Sequence, residues 1–328
     1  MDSFLFAVNA VLPIILAVAV GYCLKRFGMI SLTFVKEGNK LVFRVFLPAM
    51  LFLNIYEIES VSSVSLGYVL YAAAIVLLVF LIGIPLVMFL TDKDAHRGPL
   101  LQGTFRSNYA LVGIPLATAL FGETGAIAAS LLSAVIVPLY NTLAVVSLSI
   151  FKRDENTVSV KKILLDIVKN PLIVSIVIGL LVLGVRALFL RFGLAFRLSD
   201  IAPVYTLLGY LSRVATPMAL ILLGAQFEFS QVSGYRREIV FATLTRAIAV
   251  PVIGIGSALL FFRTSFGGAE FASLVACFAT PVAVSSVPMT QEMKGDVVLA
   301  GQIVIFTTVA SAFTVFIATV ILRAIGIF

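Results

Sequence analysis

A single histidine, two cysteines and sixteen acids are all that this 328-residue chain offers to catalysis or to a metal. The histidine, His96, lies in the polar stretch TDKDAHRG and reads as a solvated loop residue. Cys23 and Cys277 fall in apolar runs and read as buried small residues, not as a disulfide. The acids all fall in loops or at the ends of apolar runs. With no HExxH and no aspartate pair inside an apolar run, hydrolytic chemistry lacks its usual parts, and no catalytic residue, metal ligand or cofactor is assigned. The informative polar residues lie elsewhere. RSNYALVGIPLATALFG, residues 106–122, puts Arg106, Asn108, Tyr109, Gly113 and Pro115 inside a stretch long enough to cross a membrane. ATPVAVSSVPMTQE, residues 279–292, does the same with Thr280, Pro281, Ser285, Ser286 and Pro288. Glycine and proline weaken a helix. In hydrocarbon the backbone groups they free must be satisfied by protein or by enclosed water. Each break therefore faces the protein interior, and the first helix is expected to open near 109–115.

The elements that must position these residues follow from hydropathy. The chain is 61% hydrophobic and 12% charged, about half the charge of an average soluble protein, and reads as an all-α polytopic membrane protein. Ten apolar stretches are long enough to span: 4–24, 35–56, 66–90, 99–121, 125–151, 170–190, 203–226, 238–262, 268–291 and 297–322. The first carries no cleavage signal and reads as a retained span. The polar segment 152–169 divides the chain into a first five-span half, 1–151, and a second, 170–328. Of the 23 lysines and arginines, 14 fall on the side of the 25–40 loop and five on the other, and four lie within spans. The basic excess marks the cytoplasmic side, which leaves both termini outside. It reads as orientation charge, not as a nucleic-acid surface.

Five spans per half force any homologous halves to be inverted. Pro13, Pro48, Pro85 and Pro115 find partners in order at Pro171, Pro217, Pro251 and Pro281, at offsets of 158, 169, 166 and 166 residues. Inverted repeats with discontinuous helices are a signature of secondary transporters. Broken fourth and ninth helices that cross near the midplane would aim their half-helix N-termini at one point, where an anion is welcome.

NYALVGIPLATALFG (108–122) resembles the Asn-x-x-x-x-Gly-x-Pro segment of the auxin efflux carrier family. KLVFRVFLPAMLF (40–52), LYNTL (139–143), NPLIVSIVIGLL (170–181) and ATPMALILLGA (215–225) resemble the family too, and in its order. The resemblance implies ten spans with the fourth and ninth crossing. It also implies a scaffold of spans one, two, six and seven that dimerises, and a mobile transport bundle of the other six. Bacterial members are associated with malate, malonate and related anions, and plant members with the auxin carboxylate. The short 152–169 loop is similar to the bacterial type, which implies a bacterial plasma membrane. By the same resemblance Asn108 is a substrate-carboxylate ligand, Gly113 and Pro115 form the first break, and Pro281 forms the second. Val282 departs from the polar residue some plant members have there, with Ser285 and Ser286 as substitutes.

Four arginines lie within spans, where a charge costs about 2.5–3.5 kcal/mol on insertion scales. Arg106 either holds an anionic substrate or snorkels to the boundary. Arg44 and Arg213 are repeat mates, each four residues before a proline, and are expected to bind the carbonyls freed by Pro48 and Pro217. Arg246 is expected to snorkel or to pair helices. Tyr140 and Asn141 are hydrogen-bonding groups for a substrate or for a neighbouring helix. No acid sits at mid-span, so coupling through a buried carboxylate is disfavoured, with Glu292 the one weak candidate. The resemblance, with the two broken helices, thus implies a carrier of small organic anions working by alternating access, with an anion channel as the rival reading.

Overall fold

A computed structural model describes residues 2–57, 66–151, 165 and 168–328. Most of the expected linker 152–169 lies outside the described residues. Among these the fold is helical throughout. Thirteen α-helices can be followed: α1 Asp2–Arg26, α2 Leu32–Leu41, α3 Leu47–Tyr56, α4 Leu66–Leu90, α5 Asp94–Phe105, α6 Ile114–Ser149, α7 Pro171–Arg191, α8 Ala202–Gln226, α9 Arg236–Leu244, α10 Ser257–Phe261, α11 Gly268–Phe278, α12 Ser286–Glu292 and α13 Val297–Ala324. Their starts are set locally. Ser31 accepts from the Phe34 amide at 3.1 Å before α2, Asn170 from Leu172 at 3.0 Å before Pro171 opens α7, and Asp296 from Leu299 at 2.9 Å before α13. Each satisfies a donor that the first turn cannot.

Among the described residues, seven stretches are long and apolar enough to cross a membrane. One, Asp94–Ser149, has 56 residues. Straight, it would reach roughly 84 Å at 1.5 Å per residue, far beyond a 30 Å hydrocarbon core. It turns back at Phe121 and Gly122, whose backbones are non-helical, between the two spans expected on either side.

Several prolines are absorbed without a break. Before Pro48 the chain makes a π-helical turn, Val42–Phe46, and the Leu47 amide reaches back to the Val42 carbonyl. Pro251 sits between π-helical turns at Thr245–Ala249 and Val252–Gly256. The one-residue slip of a π turn supplies a donor where proline has none.

Two groups of helices pack among themselves. In one, α3 lies on α7 and α8, α2 on α8, and α1 on α8. The α1–α8 approach needs glycine. A Cβ on Gly21 would lie 2.0 Å from the Ile221 carbonyl oxygen, and one on Gly224 1.9 Å from that of Val18. Small residues serve this close packing where lipid gives no hydrophobic drive. In the other, α5, α6, α11 and α13 surround the two interrupted stretches, with α4 and α9 against them. Cys23, on α1, is exposed and not buried as expected. Cys277 is buried, and both thiols are free.

Candidate functional site

Both interruptions are present, and they touch. The chain leaves α5 at Arg106 in an extended conformation, stays irregular through Asn108, and resumes as a π-helical turn, Tyr109–Gly113, that runs into α6. The second interruption covers 279–285, between α11 and α12. The Asn108 amide donates to the Pro281 carbonyl at 2.8 Å. The Ser107 and Thr280 hydroxyls meet at 2.6 Å, and the Val282 amide donates to Thr307 Oγ1 at 3.3 Å. Each broken stretch thus supplies the other with partners that a bilayer cannot.

The first break lies at 106–108, not at 109–115. Pro115 follows directly on the π-helical turn, in which the Ile114 amide reaches back to the Tyr109 carbonyl, so the proline is absorbed there in the same way as Pro48. Gly113 is needed for proximity: a Cβ there would come within 3.0 Å of the Ala276 carbonyl oxygen on α11.

Two arginines hold the crossing from opposite ends. Arg246 is 1% exposed and does not snorkel. Its Nε donates to the Thr280 carbonyl at 2.9 Å, and its Nη2 to that of Cys277 at 2.8 Å. Its Nη1 donates to that of Phe105 at 3.4 Å. These carbonyls end α5 and α11 or lie just beyond. Arg246 is therefore the cation at the negative ends of both broken helices, the helix-pairing role among those expected of it.

Arg106 is 2% exposed, so it does not snorkel either. Its Nη1 donates to Gln102 Oε1 at 2.8 Å, Met289 Sδ at 2.9 Å and Ser286 Oγ at 3.3 Å. Its Nη2 donates to Asn141 Oδ1 at 2.7 Å and Ser285 Oγ at 2.8 Å. Asn141 is oriented by its own Nδ2, which donates to the Val137 carbonyl at 2.8 Å. Every one of these acceptors is neutral, and no carboxylate among the described residues pairs with Arg106.

Beside the crossing is a cavity of about 140 Å³, against the roughly 30 Å³ a water occupies in the liquid. One wall is the crossing itself, with Asn108, Ala110, Leu111, Val284 and Ser285. The other is Leu47, Met50 and Asn54 from α3 with Ala215, Thr216 and Ala219 from α8. The Asn108 side chain is 9% exposed, and its Nδ2 is buried without a hydrogen-bond partner. A buried amide donor left alone costs free energy, and the residue that carries it lines a space large enough for a small solute.

A family model described as membrane transport protein matches residues 6–319, nearly the whole chain. The chain belongs to this family. It is the family of the auxin efflux carriers, whose motifs the sequence resembles, and it is a family of membrane transporters, not of enzymes. An uncharacterized transporter of Methanothermobacter thermautotrophicus is 23% identical over 311 residues, covering 94% of this chain and 96% of its own. An uncharacterized transporter of Methanocaldococcus jannaschii is 28% identical over 229 residues, covering 66% of this chain and 67% of its own. The chain is accordingly a multi-pass membrane transporter.

In this membrane transport protein the other expected residues separate into three sets. Asn108 and Ser285 line the cavity, and Arg106, Ser286 and Asn141 stand directly behind it. Thr280 and Pro281 hold the crossing through the bonds already given. Tyr109, Tyr140, Gly113 and Pro115 do not line the cavity. The Tyr109 hydroxyl points to Ser273 Oγ at 2.8 Å and donates to the Ala129 carbonyl at 3.0 Å. That of Tyr140 points to Cys277 Sγ at 3.2 Å. Both are bonds to neighbouring helices. Pro115 is exposed.

In the π turn before Pro48 the Leu47 amide serves the Val42 carbonyl, and Arg44 bonds no carbonyl among the described residues. It is 61% exposed and pairs with Glu292 at 3.1 Å, which also engages the one acid considered for coupling. Arg213 is exposed and bonds no carbonyl among the described residues. His96 is not solvated: it is 5% exposed, 3.2 Å from Asp296 and 3.4 Å from Glu238, with its ring against Tyr235. Asn54 and Thr216 were not singled out in the sequence. Asn54 had a signal, as the lone amide in the apolar run MLFLNIY.

Proposed function

We propose that this transporter carries small organic anions, mono- or dicarboxylates such as malate, malonate or auxin-like acids, by alternating access. The observation that supports this most is the partnerless buried amide of Asn108 at a cavity between two helix groups. The cavity's polar neighbours include a cation, Arg106, and no acid lines it. In this reading the fold has ten spans. To the seven long stretches it adds α1, the second arm of 94–149 and the broken pair α11–α12. The halves 1–151 and 170–328 are inverted repeats. Spans one, two, six and seven are the scaffold through which a homodimer forms, and the remaining six move. The protein resides in a bacterial plasma membrane with the basic loops in the cytoplasm, and an exported charge gains about 2.3 kcal/mol per 100 mV of inside-negative potential.

Helix α2 and the π-helical turn that follows it, Val42–Phe46, also meet α12 directly. Asn39 Nδ2 donates to Gln291 Oε1 at 2.8 Å, Gln291 Nε2 donates to the Lys36 carbonyl at 2.9 Å, and Arg44 pairs with Glu292. In the proposed topology these contacts shut the cytoplasmic side and must part in each cycle. In proteoliposomes of a Cys23→Ser/Cys277→Ala background, saturable carboxylate uptake with counterflow is expected. A short bifunctional thiol reagent joining Asn39→Cys to Gln291→Cys should abolish it. Ohmic single-channel current, or full uptake after complete cross-linking, contradicts alternating access.

The orientation has its own check. Single cysteines placed at 156 and 326 are expected to react with an impermeant thiol reagent from opposite sides of the membrane, 326 from outside. Labelling of both from one side overturns the ten-span inverted topology.

A further inference from the structure

We infer that Arg106 is the specificity-determining residue that makes the cavity prefer an anion to a neutral molecule of the same shape, and that it acts through Ser285. The inference rests on the cavity being the substrate site. Arg106 does not line the cavity; it is a positioning residue one hydrogen bond behind the wall. Its Nη2 donates to Ser285 Oγ at 2.8 Å, and Ser285 lines the cavity. A hydroxyl that accepts from a guanidinium keeps its own proton to donate elsewhere. Ser285 is thereby fixed as a donor toward the cavity, beside the partnerless donor of Asn108. In this inference both residues of the lining offer donors to the cavity, which suits a carboxylate oxygen and repels a cation.

The charge itself adds to this. The acceptors around Arg106 come from α5, α6 and the start of α12, a shell of the kind an enclosed cation receives. All are neutral, so hydrogen bonds are satisfied while the charge is left standing. A carboxylate arriving against Ser285 would be the counter-ion that the protein does not supply. An uncharged amide of the same size would meet the same wall without that gain. Arginine suits the place because its fixed fork reaches Ser285 and Asn141 from one nitrogen and Gln102 from the other.

The test measures a ratio. Binding of malonate, malate and indole-3-acetate to the purified protein is compared with binding of the corresponding uncharged amides. The parent protein is expected to prefer at least one acid by roughly tenfold or more, the scale of a hydrogen bond strengthened by charge. Arg106→Gln keeps polar contacts but no charge, and should bring the ratio within about threefold of unity on the same scale. Arg106→Lys should keep most of it, whereas a purely structural arginine would leave the ratio unchanged in both. If Arg106→Gln does not fold, Ser285 decides: Ser285→Ala should lower the ratio and Ser285→Thr, which keeps the hydroxyl, should preserve it. A folded Arg106→Gln, or a Ser285→Ala, with the parent's ratio overturns the inference. If Asn108→Ala nevertheless loses binding, the reading of the cavity stands without it. If none of the acids binds the parent, or if Asn108→Ala binds them like the parent, the cavity is not the site and both fall.

Discussion

Replacing Asn108 with alanine is expected to weaken carboxylate binding roughly tenfold or more while leaving the protein folded. The side chain contributes a donor that is buried and unpartnered, on a residue that lines the cavity. Its removal deletes one hydrogen bond to a charged group, worth about 1.5–3 kcal/mol. The folded protein loses nothing equivalent, because Asn108 holds the crossing with its main-chain amide, bonded to the Pro281 carbonyl, and alanine keeps that amide. Asn108→Asp should be worse. It sets a carboxylate against the incoming one, and two residues from Arg106, where it would take the place of the substrate as counter-ion. Equilibrium binding and initial uptake rates on protein of matched monodispersity check both. Parent-like binding and transport by the two variants together would remove the site from this cavity.

The sequence announced which helices break, because glycine, proline and polar residues cluster in two runs at matched positions. It did not announce where they open. Pro115 is absorbed by the π-helical turn before it, and the irregular backbone at Asn108 finds its partner, the Pro281 carbonyl, far away in the chain. The same limit applies to the arginines. Arg44 and Arg213, each four residues before a proline, invited a local role. Before Pro48 the chain slips into a π-helical turn whose Val42 carbonyl is met by the Leu47 amide, and Arg44 reaches Glu292 instead. Arg246, in a run with no such pattern, took the carbonyl-binding role with acceptors 31, 34 and 141 residues distant. His96 looked solvated because its neighbours in sequence are charged. Its spatial neighbours, Glu238 and Asp296, come from other helices. Periodicity, hydropathy and breaker residues read local consequences well. The assignment of a buried cation to its acceptors is set by packing, which only the folded chain displays.

Arg246 therefore carries the other large expectation, on stability instead of transport. Arg246→Met keeps an apolar stem of similar length and removes every donor. The carbonyls of Phe105, Cys277 and Thr280 then lose the guanidinium at a crossing that is buried and enclosed by protein. Cys277 retains a long contact from Tyr140 at 3.4 Å, so two carbonyls are stripped and a third is left poorly served. Each orphaned buried acceptor costs about 1–3 kcal/mol, and the loss of a cation at two helix C-termini adds to that. The total is several kcal/mol, comparable with the roughly 5–15 kcal/mol that holds an ordinary domain together. Little monodisperse protein should be recovered. Arg246→Lys should recover part of it, because an ammonium on a shorter reach can serve some of the three carbonyls but lacks the fork that serves them together. Arg44→Met is the matched control: it deletes a cation that is 61% exposed and paired at 3.1 Å, an arrangement worth about 0–1 kcal/mol, and should leave yield and melting temperature close to those of the parent. Size-exclusion recovery and thermal melting of the three variants in the same detergent decide the matter. An Arg246→Met protein as abundant and as heat-stable as Arg44→Met would mean that the two broken helices are held at their C-terminal ends by something other than this arginine.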